Sequence, residues 1–476
     1  MESIAILALV AVLLAVYSRA AGNPIDHSFA YRKRRMFNWL PLGLSYAFLY
    51  MGRYNLTVAK NALKHRMTKR QFGTIFGAGT VTYAHSFIIN GPLTDRIGGK
   101  RAMIIAVFGA ALGNIALGYI TRDALTNPDA TTNLTLLYAL AYAFNMYFQS
   151  YGAVAIVKVN SNWFHVRERG SFGGMFGVLI SLGIYFAFDW GKAIVEACKA
   201  KPAALTFFQE LIRGAVKPTG DEIWWVFYLP AGLLLLFGII DIVVLRERPG
   251  LAGFEDFDTA DASSGEENDK FELSAVLKKI FSSKVMWTIM LIEFCSGVLR
   301  NGVMHWYPIY LTETKAPKSF LFKGHWGKVL AVAGITGGMA AGFVSDKVFG
   351  SRRGPVAALL YAVLLVSTLA AMMVLGTRYP LGIVMALMSL SVIGVHGMLS
   401  GTASMDFGGR RAAGTAVGVI DGFVYLGTGL QAFALGRLTT QSWSYWAPFM
   451  APFAVIGLVL AIKIWRAFPD SKRKGA

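Results

Sequence analysis

Apolar runs long enough to cross a bilayer recur from one end of this 476-residue chain to the other, and they leave few folds open. A helix needs about 20 predominantly apolar residues to span the hydrocarbon core. Hydrophobic residues make up 55% of the chain and charged ones only 15%, whereas a soluble domain carries about 25% charge. The expectation is an all-α polytopic membrane protein.

Twelve helices are expected near residues 37–63, 72–92, 101–120, 133–160, 170–190, 223–245, 285–311, 327–345, 355–376, 380–402, 413–437 and 444–466. The one long hydrophilic break is Arg246–Lys284, made acidic by Glu255–Asp258 and Glu266–Asp269. It divides the chain into six plus six: bundles at 36–246 and 285–468, joined by a cytoplasmic linker at 247–284. A further apolar run, Ile4–Tyr17, has Glu2 before it and Arg19 after it. A signal peptide carries its positive charge before the apolar core. The charge order instead predicts an extra N-terminal transmembrane helix within residues 1–20, starting outside and leading to the basic Tyr31–Arg35 inside. An interfacial or processed segment is the alternative.

The net charge of +19 has a plain source. Most of the basic residues fall in short loops such as Tyr31–Arg35, Arg96–Arg101 and Ser351–Arg353, as the positive-inside bias requires. That bias does not cover Arg53, Arg300 or Lys158, which lie within apolar segments. An arginine at the centre of a membrane helix costs about 2.5–3.5 kcal/mol on insertion scales. Arg53 and Arg300 hold equivalent places in the two halves, and together they point to an anion-binding site near the middle of the membrane. A guanidinium presents a planar fork that matches a carboxylate or phosphate bidentately, which lysine cannot do. Tyr46 and Tyr50 precede Arg53 by seven and three residues, near one helical face. Glu293 and Asp421 also lie within apolar helices, and pairing with them is the alternative use of the arginines.

The halves repeat. Gly91-Pro-Leu-Thr-Asp95-Arg96 with Gly98-Gly-Lys-Arg101 is echoed by Gly342-Phe-Val-Ser-Asp346-Lys347 with Gly350-Ser-Arg-Arg353. Arg53 is echoed by Arg300, and Arg167-Glu-Arg169-Gly170 by Arg410-Arg411-Ala-Ala-Gly414. Parallel repeats of this kind place a substrate site between the halves, near the midplane. Glycines in these loops let helices approach closely. Asp95 is expected to pair with a loop cation, Arg169 being the choice, and Asp346 with Arg410 or Arg411. With Arg96 and Lys347 these residues form the expected conformational gates. Cys198 and Cys295 fall in an external loop and a helix, so no disulfide is expected. The sequence shows no P-loop, metal-ligand cluster or paired nucleophile and base, which argues against a primary pump and an enzyme. No cofactor and no nucleic acid is expected.

The doubled Gly-x-x-x-Asp-Arg-x-Gly-x-Lys-Arg loop resembles the signature of the major facilitator superfamily. Tyr46-Ala-Phe-Leu-Tyr50-Met-Gly-Arg53-Tyr-Asn55 and Leu299-Arg300-Asn-Gly-Val-Met-His305-Trp306-Tyr-Pro308 are similar to the first and seventh helices of its organophosphate:phosphate antiporters. The stretches Val344–Phe349, Ala412–Ala416 and Arg246–Pro249 resemble them too, so the likeness runs from about residue 31 to 466. It implies a major facilitator fold, a phosphate gripped by Arg53 and Arg300, and a pocket tyrosine at Tyr425. The family often carries a lysine and a histidine where this chain has Phe87 and Ile180. Lys158 and His305 are the candidate substitutes, with His85 and His396 also available, and the organic half of the substrate is open.

The expected function is exchange of an organophosphate for inorganic phosphate by a monomer in the cell (inner) membrane. Its partners would be the small anionic substrate, inorganic phosphate and the lipid bilayer. A sugar-phosphate receptor acting on a partner kinase and a proton-coupled carrier of another organic anion are the rivals. Lys60–Arg70, basic and external, reads as a solvated loop or an anion funnel. The external loop Gly191–Glu222 has an amphipathic stretch at Leu205–Val216.

Overall fold

The computed structural model describes residues 25–127, 133–165, 168–202, 204–259, 273–349, 353–399 and 404–466, with isolated positions 11, 15 and 23. The side chains at 65, 169–176, 275, 279, 346–347 and 404–413 lie outside that description, as does the expected helix at 1–20. Among the described residues there is no strand. Twelve long helices account for the fold: α1 (Phe29–Leu63), α2 (Lys69–Ile97), α3 (Gly99–Thr126), α4 (Leu134–Trp163), α5 (Arg169–Tyr185), α6 (Trp225–Val244), α7 (Lys284–Met304), α8 (Trp326–Lys347), α9 (Arg353–Val374), α10 (Pro380–His396), α11 (Ser404–Gln441) and α12 (Trp446–Lys463). A π-helical turn, Phe186–Trp190, and a last stretch, Gly191–Ala197, continue α5. The stretch Trp306–Glu313 continues α7.

Eight helices are long and apolar enough to cross a membrane by composition, and α7 joins them as part of a bent pair with Val276–Ser282. The remaining three, α1, α2 and α4, fall short because of polar residues that point inward. Arg53, Asn55, Lys60, Asn90, Asn145 and Gln149 are all fully buried.

The two halves pack alike. In the first, α1 lies against α5 and α6, α3 against α4 and α6, and α2 against α4. In the second, α7 lies against α11 and α12, α9 against α10 and α12, and α8 against α10. Each pairing maps onto the other by adding six to the helix number, so the sequence repeat is a structural repeat. Between the halves, α2 runs against α11 and α5 against α8. Glycine permits the first contact at both ends: a Cβ on Gly73 would stand 2.5 Å from Ala432 O, and one on Gly91 2.7 Å from Gly414 O.

Helix ends follow local chemistry. Thr68 and Gln71 form a capping box at the start of α2. Glu247, from the Arg246–Pro249 motif, accepts the Gly99 and Lys100 amides at 2.8 and 2.7 Å and so caps α3. The bidentate Arg35–Glu168 pair, at 2.9 and 3.0 Å, ties α1 to the α4–α5 connection. The amphipathic stretch of the external loop forms a helix, Phe207–Val216, behind its own capping box at Thr206. Cys198 and Cys295 are free and buried.

Within the second half, Gly297 is the tightest contact between α7 and α11: a Cβ there would stand 1.9 Å from Val424 O. Overpacking a tight core costs about 1–3 kcal/mol. Gly297→Val should therefore lower the thermal unfolding midpoint in detergent, whereas Gly342→Ala, whose Cβ would meet nothing within 4 Å, should not.

Candidate anion-binding site

Arg53 and Arg300 project from the C-terminal parts of α1 and α7 into the core, with relative exposures of 0% and 5%. Tyr425 of α11 stands between them: its ring centroid is 5.9 Å from the Arg53 guanidinium carbon and 5.7 Å from that of Arg300. Two cations thus face one buried ring, with no ion pair to either among the described residues. Of the two acids weighed as partners, Glu293 bonds His396 rather than Arg300.

The first half holds Arg53 firmly. Its Nε donates to Gln149 Oε1 at 2.9 Å and its Nη1 to the Tyr425 hydroxyl at 2.9 Å. Tyr83 and Tyr50 present ring faces 4.5 and 4.6 Å from its guanidinium carbon, and such contacts strengthen when desolvated. A polar chain behind it fixes Gln149: Gln149 donates to Asn145 Oδ1, and Asn145 and Asn114 both donate to Gly52 O. Asn55 donates to Asn114 Oδ1 at 2.8 Å, and Tyr142 donates to Arg53 O at 3.1 Å. Arg53 Nη2 has no hydrogen-bond partner.

Arg300 is held less. Its Nε and Nη2 have no hydrogen-bond partner, and a buried donor left unpaired costs about 1–3 kcal/mol or more when charged. The helix breaks five residues on, and proline is the cause. Pro308 has no N–H to give Met304 O, and the Trp326 indole takes that carbonyl at 2.9 Å. The Trp446 indole takes Gly302 O at 2.8 Å. The break turns the His305 ring toward the first half, where Nδ1 meets Thr57 Oγ1 at 2.7 Å and the ring packs on Tyr54 and Phe76.

Of the expected site residues, Arg53, Arg300, Tyr46, Tyr50 and Tyr425 gather at this centre, all buried. His305 lies just beyond them, bonded across to α1. Lys158 departs from the expectation. It stands nine residues along α4 from Gln149, about 14 Å at a helical rise, and pairs with Asp95 at 3.0 Å. Asp95 Oδ2 also accepts the Thr415 amide and hydroxyl at 3.1 and 3.0 Å. The described cation beside Asp95 is thus on α4, and these contacts link α2 and α4 to α11. Arg96 is exposed. The side chains of Arg169, Asp346, Lys347 and Arg410 fall outside the described residues.

The basic stretch Lys60–Arg70 is no loose loop. Lys60 is buried and paired with Glu313, and Lys69 donates to Thr439 O at 2.7 Å. Both contacts cross between the halves. Sequence reasoning missed Gln149, Asn145, Asn114, Tyr54 and Tyr83, although an amide inside an apolar helix was a readable sign. At the family's lysine position, Phe87 stacks on Tyr425 with centroids 5.8 Å apart. His85 is exposed and bonded only to Val81 O.

Residues 42–432 match the model of the Major Facilitator Superfamily. The chain belongs to the major facilitator superfamily. It is similar to the glycerol-3-phosphate transporter of Bacillus subtilis, 25% identical over 84% of each chain. It is similar also to a probable hexose phosphate transport protein of Chlamydia trachomatis, 26% identical over 94% of each. The membrane sensor protein UhpC of Escherichia coli is 23% identical over 94% of this chain and 93% of its own. Among solved structures, a bacterial homolog of the lysosomal transporter Spinster, inward-facing and unoccupied, has a TM-score of 0.69 at 15% identity, covering 92% of this chain and 98% of that one. That likeness bears on the major facilitator fold alone.

Removing the carbonyl that orients Arg53 should weaken anion binding. A hydrogen bond to a charged group contributes about 1.5–3 kcal/mol. Gln149→Ala should therefore bind inorganic phosphate about tenfold or more weakly by calorimetry, and its melting temperature should fall as well because Arg53 Nε loses its acceptor.

Proposed function

We propose that this protein carries phosphate esters across the cell membrane in exchange for inorganic phosphate, by alternating access. The observation that carries the reading is the pair of buried guanidiniums about one ring, with Arg53 Nη2 and Arg300 Nε and Nη2 lacking acceptors. Phosphate supplies what they lack: negative charge and several acceptor oxygens in a geometry that guanidinium matches. The names of the glycerol-3-phosphate and hexose phosphate relatives support the same substrate class.

Exchange follows from electrostatics. An empty site encloses two like charges with unpaired donors, and closing around them is costly. A bound phosphate neutralises them, so the loaded carrier crosses more readily than the empty one. The cross-half contacts then act as alternating locks. Lys60–Glu313 and Thr57–His305 close the external end, and Asp95 with Thr415 closes the cytoplasmic end.

Labelled phosphate uptake into phosphate-loaded proteoliposomes tests the reading. Wild type should exchange, and Arg53→Lys or Arg300→Lys should each reduce exchange at least a hundredfold. Equal efflux with and without external phosphate would overturn obligatory exchange. Binding without any flux would favour a receptor, the role named for the UhpC relative. A second measurement addresses the locks: Lys60→Ala should increase labelling, by an external membrane-impermeant thiol reagent, of a cysteine introduced at Thr57.

A further inference from the structure

A second ionisable pair lies in the core, unused by the phosphate grip. Glu293 sits on α7 seven residues before Arg300, so the two share a helical face about 10 Å apart along the axis. Its side chain is 0% exposed, and Oε2 meets His396 Nδ1 of α10 at 2.9 Å. Oε1 has no hydrogen-bond partner. The His396 side chain is 18% exposed, which gives the pair an opening. At that point α10 leaves the α-helical path for a π-helical turn at 397–399. Such turns concentrate at functional sites.

Among the described residues the groups around the pair are few. From α7 itself come Arg300 and Cys295, from α11 Asp421 and Tyr425, and from α9 Tyr361, whose hydroxyl donates to Ile292 O at 2.7 Å. Among the described residues Arg300 is the cation within electrostatic range of both members. The apolar part of α12, Trp446–Ala461, and α8 between Lys328 and Asp346 contribute no titratable side chain.

Resting on the transport reading above, we propose that Glu293 and His396 form a proton-binding site linked to Arg300, so that the carrier loads a proton together with its anion. With one proton in the Nδ1–Oε2 bond, the pair carries a charge of −1, which the Arg300 cation favours. An anion bound at Arg300 cancels that cation and leaves the pair's negative charge buried and uncompensated. A proton from the water on the open side then adds to the imidazole, giving imidazolium beside carboxylate and a net charge of zero. It returns to water when the anion leaves. Linkage is reciprocal: a protonated pair must bind the anion more tightly by the same factor.

Calorimetric titration of the solubilised protein with inorganic phosphate, in two buffers of different ionisation enthalpy near pH 7, counts protons taken up per phosphate. Phosphate's own ionisation is common to all variants and cancels in the difference. Wild type should take up more protons than Glu293→Gln, by up to one per phosphate, and His396→Asn should lose the same difference. Equal counts in wild type and a folded variant would overturn the coupling while leaving the transport reading intact. If Glu293→Gln does not fold, His396→Asn decides by the same criterion. No phosphate binding by wild type would overturn the transport reading, and the coupling with it.

Discussion

Two guanidiniums buried in a membrane bundle set the terms for everything around them. Neither can lose its proton, and neither reaches water: Arg53 is 0% and Arg300 5% exposed. The bundle can tolerate them only by surrounding each with acceptors and ring faces, or by leaving the deficit for a ligand to fill. It does both, unequally. Arg53 has Gln149, the Tyr425 hydroxyl and two close tyrosine rings, while Arg300 has one ring and two unpaired nitrogens.

The inequality has structural causes. The first half devotes an amide chain, Asn55–Asn114–Asn145–Gln149, to holding one side chain, and that chain spans α1, α3 and α4. In the second half the corresponding helix is broken at His305, and its freed carbonyls are taken by Trp326 and Trp446. Polar satisfaction there goes to the backbone rather than to the arginine. One half therefore presents a fixed cation and the other an unsatisfied one, and a ligand gains most from the second. The Glu293–His396 pair lies about two helical turns from that unsatisfied cation.

Much of this was legible from composition and pattern, because a bilayer makes charge expensive wherever it is placed. The spans, the six-plus-six division and the equivalence of Arg53 and Arg300 all follow from where charges are and are not. Tyr46, Tyr50 and Tyr425 came to light through spacing and resemblance. Gln149 and Tyr83 did not, because their role depends on α4 and α2 lying beside α1, and adjacency between helices is not written in either helix. Lys158 shows the same limit. Its place within an apolar segment marked it as unusual, but only the crossing of α2 and α4 makes Asp95 its partner rather than the anion. Lys60 and Lys69 looked like a solvated surface for the related reason that their partners, Glu313 and Thr439, lie more than 250 residues away in the chain.

The strengths of the contacts are ordered as a carrier would need them. Glu313 keeps 31% of its side chain exposed while Lys60 is buried, so this pair separates only as water reaches the lysine. The Thr57–His305 bond is a single contact worth about 1 kcal/mol net, and Thr415 gives Asp95 two bonds, each somewhat stronger because the acceptor is charged. Locks of this size hold an end closed against thermal motion yet break without a large barrier. The arginine site is the opposite case, with two desolvated cations whose unmet donors cost several times as much until an anion arrives. When one term is that much larger than the others, it decides which arrangement of the bundle is populated. On the alternating-access reading proposed above, occupancy of the centre, more than the strength of either lock, governs whether the halves can rock.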